Sequence, residues 1–172
     1  QPRYYSTIRF ADLDADGKGD VCGRGAGGIY CGTSTGTSFR ALTLWQGEFT
    51  DANGWDRVER YSTIRLVDVN GDGMADVCGR GQNGIYCALS TGTSFRAATL
   101  WQGDFTEAKG WGLVERYSTI RFVDLNNDRK VDVCGRGYGG IYCALSSGTT
   151  CAKTPAWASD WRLFCCIQPS RR

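Results

Sequence analysis

A six-residue string, Tyr5-Ser6-Thr7-Ile8-Arg9-Phe10, returns as Tyr61-Ser62-Thr63-Ile64-Arg65-Leu66 and again as Tyr117-Ser118-Thr119-Ile120-Arg121-Phe122, 56 residues on each time. A period of tens of residues means that one supersecondary unit is made repeatedly and stacked, which excludes most folds before any local reading begins. The units divide the chain into repeats over 1–60 and 61–116 and a degenerate copy over 117–161, followed by an atypical tail, 162–172. Within the first unit, Ile8 and Phe10 alternate with Thr7 and Arg9, which predicts a strand over 6–12. Further strands are predicted over 20–24, 29–33 and 38–45, the middle two joined by the turn Gly25-Ala26-Gly27-Gly28. No segment shows helical periodicity. Four strands per unit predict an all-β chain of three four-stranded antiparallel blades of β-propeller type. A β-trefoil, which also has three four-stranded repeats, is the alternative.

Between the first two strands of each unit lies an acidic loop. Oxygen-bearing side chains stand at loop positions 1, 3, 5 and 9: Asp12, Asp14, Asp16 and Asp20; then Asp68, Asn70, Asp72 and Asp76; then Asp124, Asn126, Asp128 and Asp132. Carboxylates this crowded repel one another unless a hard cation sits among them, and calcium takes six to eight oxygens in irregular geometry. The backbone carbonyls of Lys18, Met74 and Lys130, at position 7, complete the expected ligand sets. Gly17 and Gly73 at position 6 allow the tight turn, but Arg129 holds that place in the third loop, so two good calcium sites and a weaker third are expected. The competing reading is a set of Asp/Asn/Gly turns without an ion. An EF-hand is excluded, because no Glu stands at position 12 and no helices flank the loop.

Other classes fall to composition. Histidine is absent, which removes the commonest general base and zinc ligand, and most carboxylates already lie in the loops, so no enzyme is expected. No run of 18 apolar residues occurs, so no membrane insertion is expected. The formal net charge is only +2, with arginines spread along the repeats, which argues against nucleic acid. Six of the nine cysteines form three identically spaced pairs, Cys22 and Cys31, Cys78 and Cys87, Cys134 and Cys143. The Gly-rich turn puts the members of each pair opposite one another, close enough for a disulfide, which implies an extracellular location, secreted or at the cell surface. A zinc site is the alternative. Cys151, Cys165 and Cys166 lie outside the pattern, and one of them must stay unpaired within the chain.

The segment Phe10-Ala11-Asp12-Leu13-Asp14-Ala15-Asp16-Gly17-Lys18-Gly19-Asp20-Val21 resembles the FG-GAP/VCBS repeat, and the resemblance extends over about residues 5–148. That repeat builds the calcium-binding β-propellers of integrin α-chains and of related extracellular proteins, including a fungal lectin. The resemblance implies calcium in the loop between the first two strands of each blade. Three blades fall short of a closed ring, so the chain is either a fragment or a homo-oligomer in which several copies supply the blades. The leading functional expectation is a calcium-stabilised binding module for a glycan or a cell-surface protein. Repeated aromatics and donors carry it: Arg24, Tyr30 and Trp55; Arg80, Tyr86 and Trp111; Arg136 and Tyr142. The same aromatics also read as interblade core. The second expectation is a self-assembling structural protein forming a fibre, coat or adhesive layer.

Overall fold

The computed structural model describes residues 1–152 and 156–158. It contains three separate four-stranded antiparallel sheets. The first holds β1 (Arg9–Ala11), β2 (Asp20–Gly25), β3 (Gly28–Gly32) and β4 (Thr43–Gln46) in sequence order. The second holds β5 (Arg65–Val67), β6 (Asp76–Gly81), β7 (Gly84–Ala88) and β8 (Thr99–Gln102) in the same order. The third repeats the plan with β9 (Arg121–Val123), β10 (Asp132–Gly137), β11 (Gly140–Ala144) and β12 (Ala156–Ala158). Each unit thus closes its own sheet as a propeller blade, and the trefoil alternative fails, because its repeats would share one barrel. Trp161, Cys165, Cys166 and the tail 162–172 lie outside the described residues.

Two strand expectations need correction. The first strand is shorter than 6–12, and a helical turn precedes it in every unit: α1 (Pro2–Tyr5), α2 (Val58–Tyr61) and α3 (Val114–Tyr117). The threonine of the repeated string causes this. The hydroxyl of Thr63 donates to the Arg60 carbonyl at 2.7 Å and accepts the Arg80 amide at 2.8 Å. Thr7 and Thr119 make the equivalent pairs of bonds. A residue that closes a turn on itself and satisfies the next strand's amide is not available to a ladder. The fourth strand begins at Thr43 and not at Ser38, because Thr35 and Ser38 close a side-chain-bonded turn, and Phe39 meets Ser34 only in an isolated bridge.

The second and third strands form a tight hairpin in each blade. Gly25 pairs with Gly28, and Cys22 pairs directly with Cys31, as do Cys78 with Cys87 and Cys134 with Cys143. All three pairs are disulfides with Cα atoms 4.0–4.1 Å apart. Gly28 and Gly84 have positive φ, and a Cβ on either would sit on the carbonyl oxygen of Gln46 or Gln102. Glycine is therefore required where the fourth strand crosses the hairpin tip.

Hydrophobic burial lies between blades. One cluster joins Leu13, Ile29, Trp45, Phe49 and Trp55 of the first blade to Ile64, Val77 and Phe95 of the second. The next joins Val69, Ile85, Trp101, Phe105 and Trp111 to Ile120, Val133 and Ala144. Backbone hydrogen bonds repeat with the packing: Ala75 N–H to Asp12 C=O and Phe95 N–H to Trp45 C=O, then Val131 to Asp68 and Cys151 to Trp101. The hydroxyls of Ser90 and Ser146 donate across the same seams to the carbonyls of Leu13 and Val69.

Candidate functional site

The acidic loops hold their shape through their own side chains. Asp12 accepts the amides of Asp14, Asp16 and Gly17, and Asp68 accepts those of Gly71, Asp72 and Gly73. Asp124 accepts those of Asp128 and Arg129. The turn needs left-handed backbone at two positions: Ala15 and Gly17, Gly71 and Gly73, Asn127 and Arg129. The first of each pair was not evident from the sequence, where only position 6 stood out. The ninth-position aspartates are fully buried and clamp the fold. Asp20 accepts the amides of Leu13 and Ser34, Asp76 those of Val69 and Ser90, and Asp132 those of Leu125 and Ser146.

Carboxylate oxygens of Asp12, Asp14 and Asp20 come within 4.8 Å of one another. Burial and the charges of Asp20, Asp16 and Asp12 push the Asp14 carboxyl above its ordinary value. Burial, reinforced by Asp72 and Asp68, pushes Asp76 up to about 7. Oxygen-only donors under mutual repulsion suit a hard divalent cation. Asp16 turns instead to Lys18, with its carboxylate 2.6 Å from Nζ. Asn70 and Asn126 donate to Asp72 and Asp128. Met74 and Lys130 occupy position 7, where their amides bond to Asp72 and Asp128.

The repeated arginines are not surface donors. The Arg24 side chain is wholly enclosed, 2.6 Å from Asp51 and 3.2 Å from the Arg3 carbonyl. Arg80 is equally enclosed, bonding to the carbonyls of Glu59 and Gly81 and lying 3.7 Å from Glu107. Both brace the hairpin against the connection that follows the blade, so their expected contact with a ligand is corrected to a structural role. Arg136 is half-buried. Tyr30 is half-buried on the first blade's hairpin and lines neither cleft described below.

The other four candidates meet in pairs, across blades and not within a repeat. Trp55, in the connection leaving the first blade, shares a cleft of about 300 Å³ with Tyr86 on the second blade's hairpin. Trp111 and Tyr142 share the equivalent cleft, of about 290 Å³, one blade on. Each tryptophan is buried, 7% or 5% exposed, and packs at a tilt against the phenylalanine six residues before it, Phe49 or Phe105, with centroids 4.2 and 4.3 Å apart. Gly79 and Gly135 let the indoles lie against the next blade, where a Cβ would strike the ring.

Polar groups rim both clefts at matching positions: Glu48 and Asp104, Asn53 and Lys109, Arg60 and Arg116, Gln82 and Tyr138. Glu48 accepts from Gln46 and from the Ala98 amide, both at 2.6 Å. Arg60 donates to Glu107 at 2.7 Å, and Lys109 pairs with Asp104. Burial pushes Glu107 up, but the hydrogen bond and charge of Arg60, with the charge of Arg80, hold it below its ordinary value. These rim residues were missed in the sequence, although Arg60 and Arg116, and the acids Glu48 and Asp104, recur at the 56-residue period.

Residues 68–135 match the family model of the FG-GAP-like repeat. No curated protein sequence matches the chain. A lectin of Agrocybe aegerita, solved to explain its specific recognition of non-reducing terminal N-acetylglucosamine, superposes with a TM-score of 0.79 at 28% identity. The match covers 89% of this chain and 38% of the lectin chain, so this chain spans under two-fifths of the lectin's length. A pore form of the Photorhabdus luminescens Tc holotoxin superposes with a TM-score of 0.64 at 19% identity, over 91% of this chain and 7% of that one, a likeness of fold alone.

Proposed function

We propose that this chain, built of FG-GAP-type β-propeller repeats, is a carbohydrate-binding module that holds sugar rings in the clefts between successive blades. The observation that carries this is the recurrence, one blade apart, of a cleft walled by a half-buried tyrosine, floored by the edge of a buried tryptophan and rimmed by a carboxylate and an arginine. A pyranose presents C–H faces that rest on aromatic rings and hydroxyls that donate to carboxylates and accept from guanidinium groups. Terminal N-acetylglucosamine, the sugar recognised by the Agrocybe aegerita lectin, is the first ligand to try.

In this reading calcium serves as a stabiliser. Asp12, Asp14 and Asp20 would hold it in the first loop, where it would neutralise their mutual repulsion, and Asp68, Asn70 and Asp76 are the corresponding oxygen donors of the second. Three disulfides in so short a chain fit an oxidising, extracellular setting, and no helix among the described residues is long and apolar enough to cross a membrane. No catalytic role is assigned.

The test is a glycan array with calcium present, followed by calorimetry on Glu48→Gln combined with Asp104→Asn. Losing a charged hydrogen bond in each cleft should weaken binding by about 10- to 100-fold in a variant that keeps the cooperative melt of the wild type. No binding across a diverse array, or full binding by the double variant, would overturn the reading.

A further inference from the structure

The faces by which neighbouring blades pack are repeated, and at each end of the described arc one such face is uncovered. On the leading face, Ile64 and Ile120 are 2% exposed beneath the preceding blade, whereas Ile8, their counterpart, is 46% exposed. Phe95 is 7% exposed and its counterpart Phe39 is 47% exposed, packed at a tilt against an open Phe10 with centroids 6.1 Å apart. On the trailing face, Leu13 and Val69 are buried while Leu125 is 38% exposed, and Trp45 is buried while Trp157 is 49% exposed.

Hydrogen bonding shows the same break. The seam donors in the second and third blades are the amides of Ala75, Phe95, Val131 and Cys151 and the hydroxyls of Ser90 and Ser146. Their first-blade equivalents, Gly19, Phe39 and Ser34, have no blade opposite them among the described residues. The acceptors at the other end, the carbonyls of Asp124, Leu125 and Trp157, stand likewise. The open faces therefore match each other in side-chain chemistry and in hydrogen-bond polarity, as they do at the two formed seams.

We propose that the leading face of the first blade docks on the trailing face of the third blade in a second copy of this chain. The contact is head-to-tail, so each copy offers one face of each kind, and two copies close a ring of six blades. That number lies within the four to eight of known propellers. The occupant is argued from continuity: the seam already made twice within the chain is made again between chains.

The test is native mass under non-reducing conditions for the full chain and three variants. The wild type should run at twice the 18.8 kDa of one chain. Phe10→Asp and Leu125→Asp, one on each face, should each run as single chains, and mixing the two should restore part of the dimer through the one undamaged pair of faces. Leu100→Asp, exposed on the fourth strand of the second blade, whose two faces are already packed, should leave the dimer intact. A wild type that stays a single chain at the highest concentration reached would overturn the proposal and leave the faces to further blades of a longer chain. So would a Leu125→Asp variant that still dimerises, since that points to a symmetric contact between leading faces.

Discussion

Arg24 and Asp51 show what a recurrent charge does when its surroundings are dry. The guanidinium is wholly enclosed, and its partner, about a quarter exposed, supplies the counter-charge at 2.6 Å. Asp51→Asn should lower unfolding stability by roughly 1–3 kcal/mol, because it leaves a buried cation with a weaker acceptor, discounted for the exposed partner. The pair also sets an acid response. The hydrogen bond from Arg24, joined by that from Tyr4, holds the Asp51 carboxyl below its ordinary value despite some burial. A depressed folded value stabilises above the unfolded carboxylate's pKa of about 4 and is lost as pH falls through the folded value. Urea melts between about pH 5 and pH 3 should therefore fall more steeply for the wild type than for Asp51→Asn. The role of Arg24 was not legible in the sequence. Its partner lies 27 residues away in the connection and becomes Glu107 in the next repeat, so only the folded chain reveals the pairing.

At the scale of the element, the blade was largely readable and its entry was not. Alternation, the Gly-rich turn and the nine-residue cysteine spacing fix the hairpin register, because directly opposed positions are what a disulfide requires. Replacing Cys78 and Cys87 by Ser should lower stability by roughly 2–3 kcal/mol, read by denaturant melts. Ser62 and Thr63 look like strand residues by pattern, but Thr63 spends its hydroxyl on the turn and on the Arg80 amide, which no periodicity reports. The convergence of Asp12, Asp14 and Asp20 in the first acidic loop was legible, and the second left-handed position of the loops was not. Arg129 at φ 69° carries a backbone cost that glycine avoids. Arg129→Gly should raise stability by about 1 kcal/mol and tighten calcium at the third loop, measured by calorimetric titration. Chelator should lower the melting temperature of the calcium-loaded chain, and an unchanged melt would remove calcium from the account.

For the whole molecule, the 56-residue period was the legible part, since it fixed three equivalent sheets before any contact was known. The clefts were illegible because their walls come from different repeats: Trp55 faces Tyr86, not Tyr30. Residues grouped along the sequence were thus separated in space, and the real neighbours lay one unit further on. The recurrence of the cleft carries one more consequence. If both clefts hold sugar as proposed, two like sites at a fixed separation would turn a second attachment to the same branched polymer into an intramolecular event, at an effective concentration in the millimolar range for a short tether. Release then requires both ends to let go together. A dense coat of end groups would retain the molecule even where each single grip is weak, and a free monosaccharide would be a poor competitor for it.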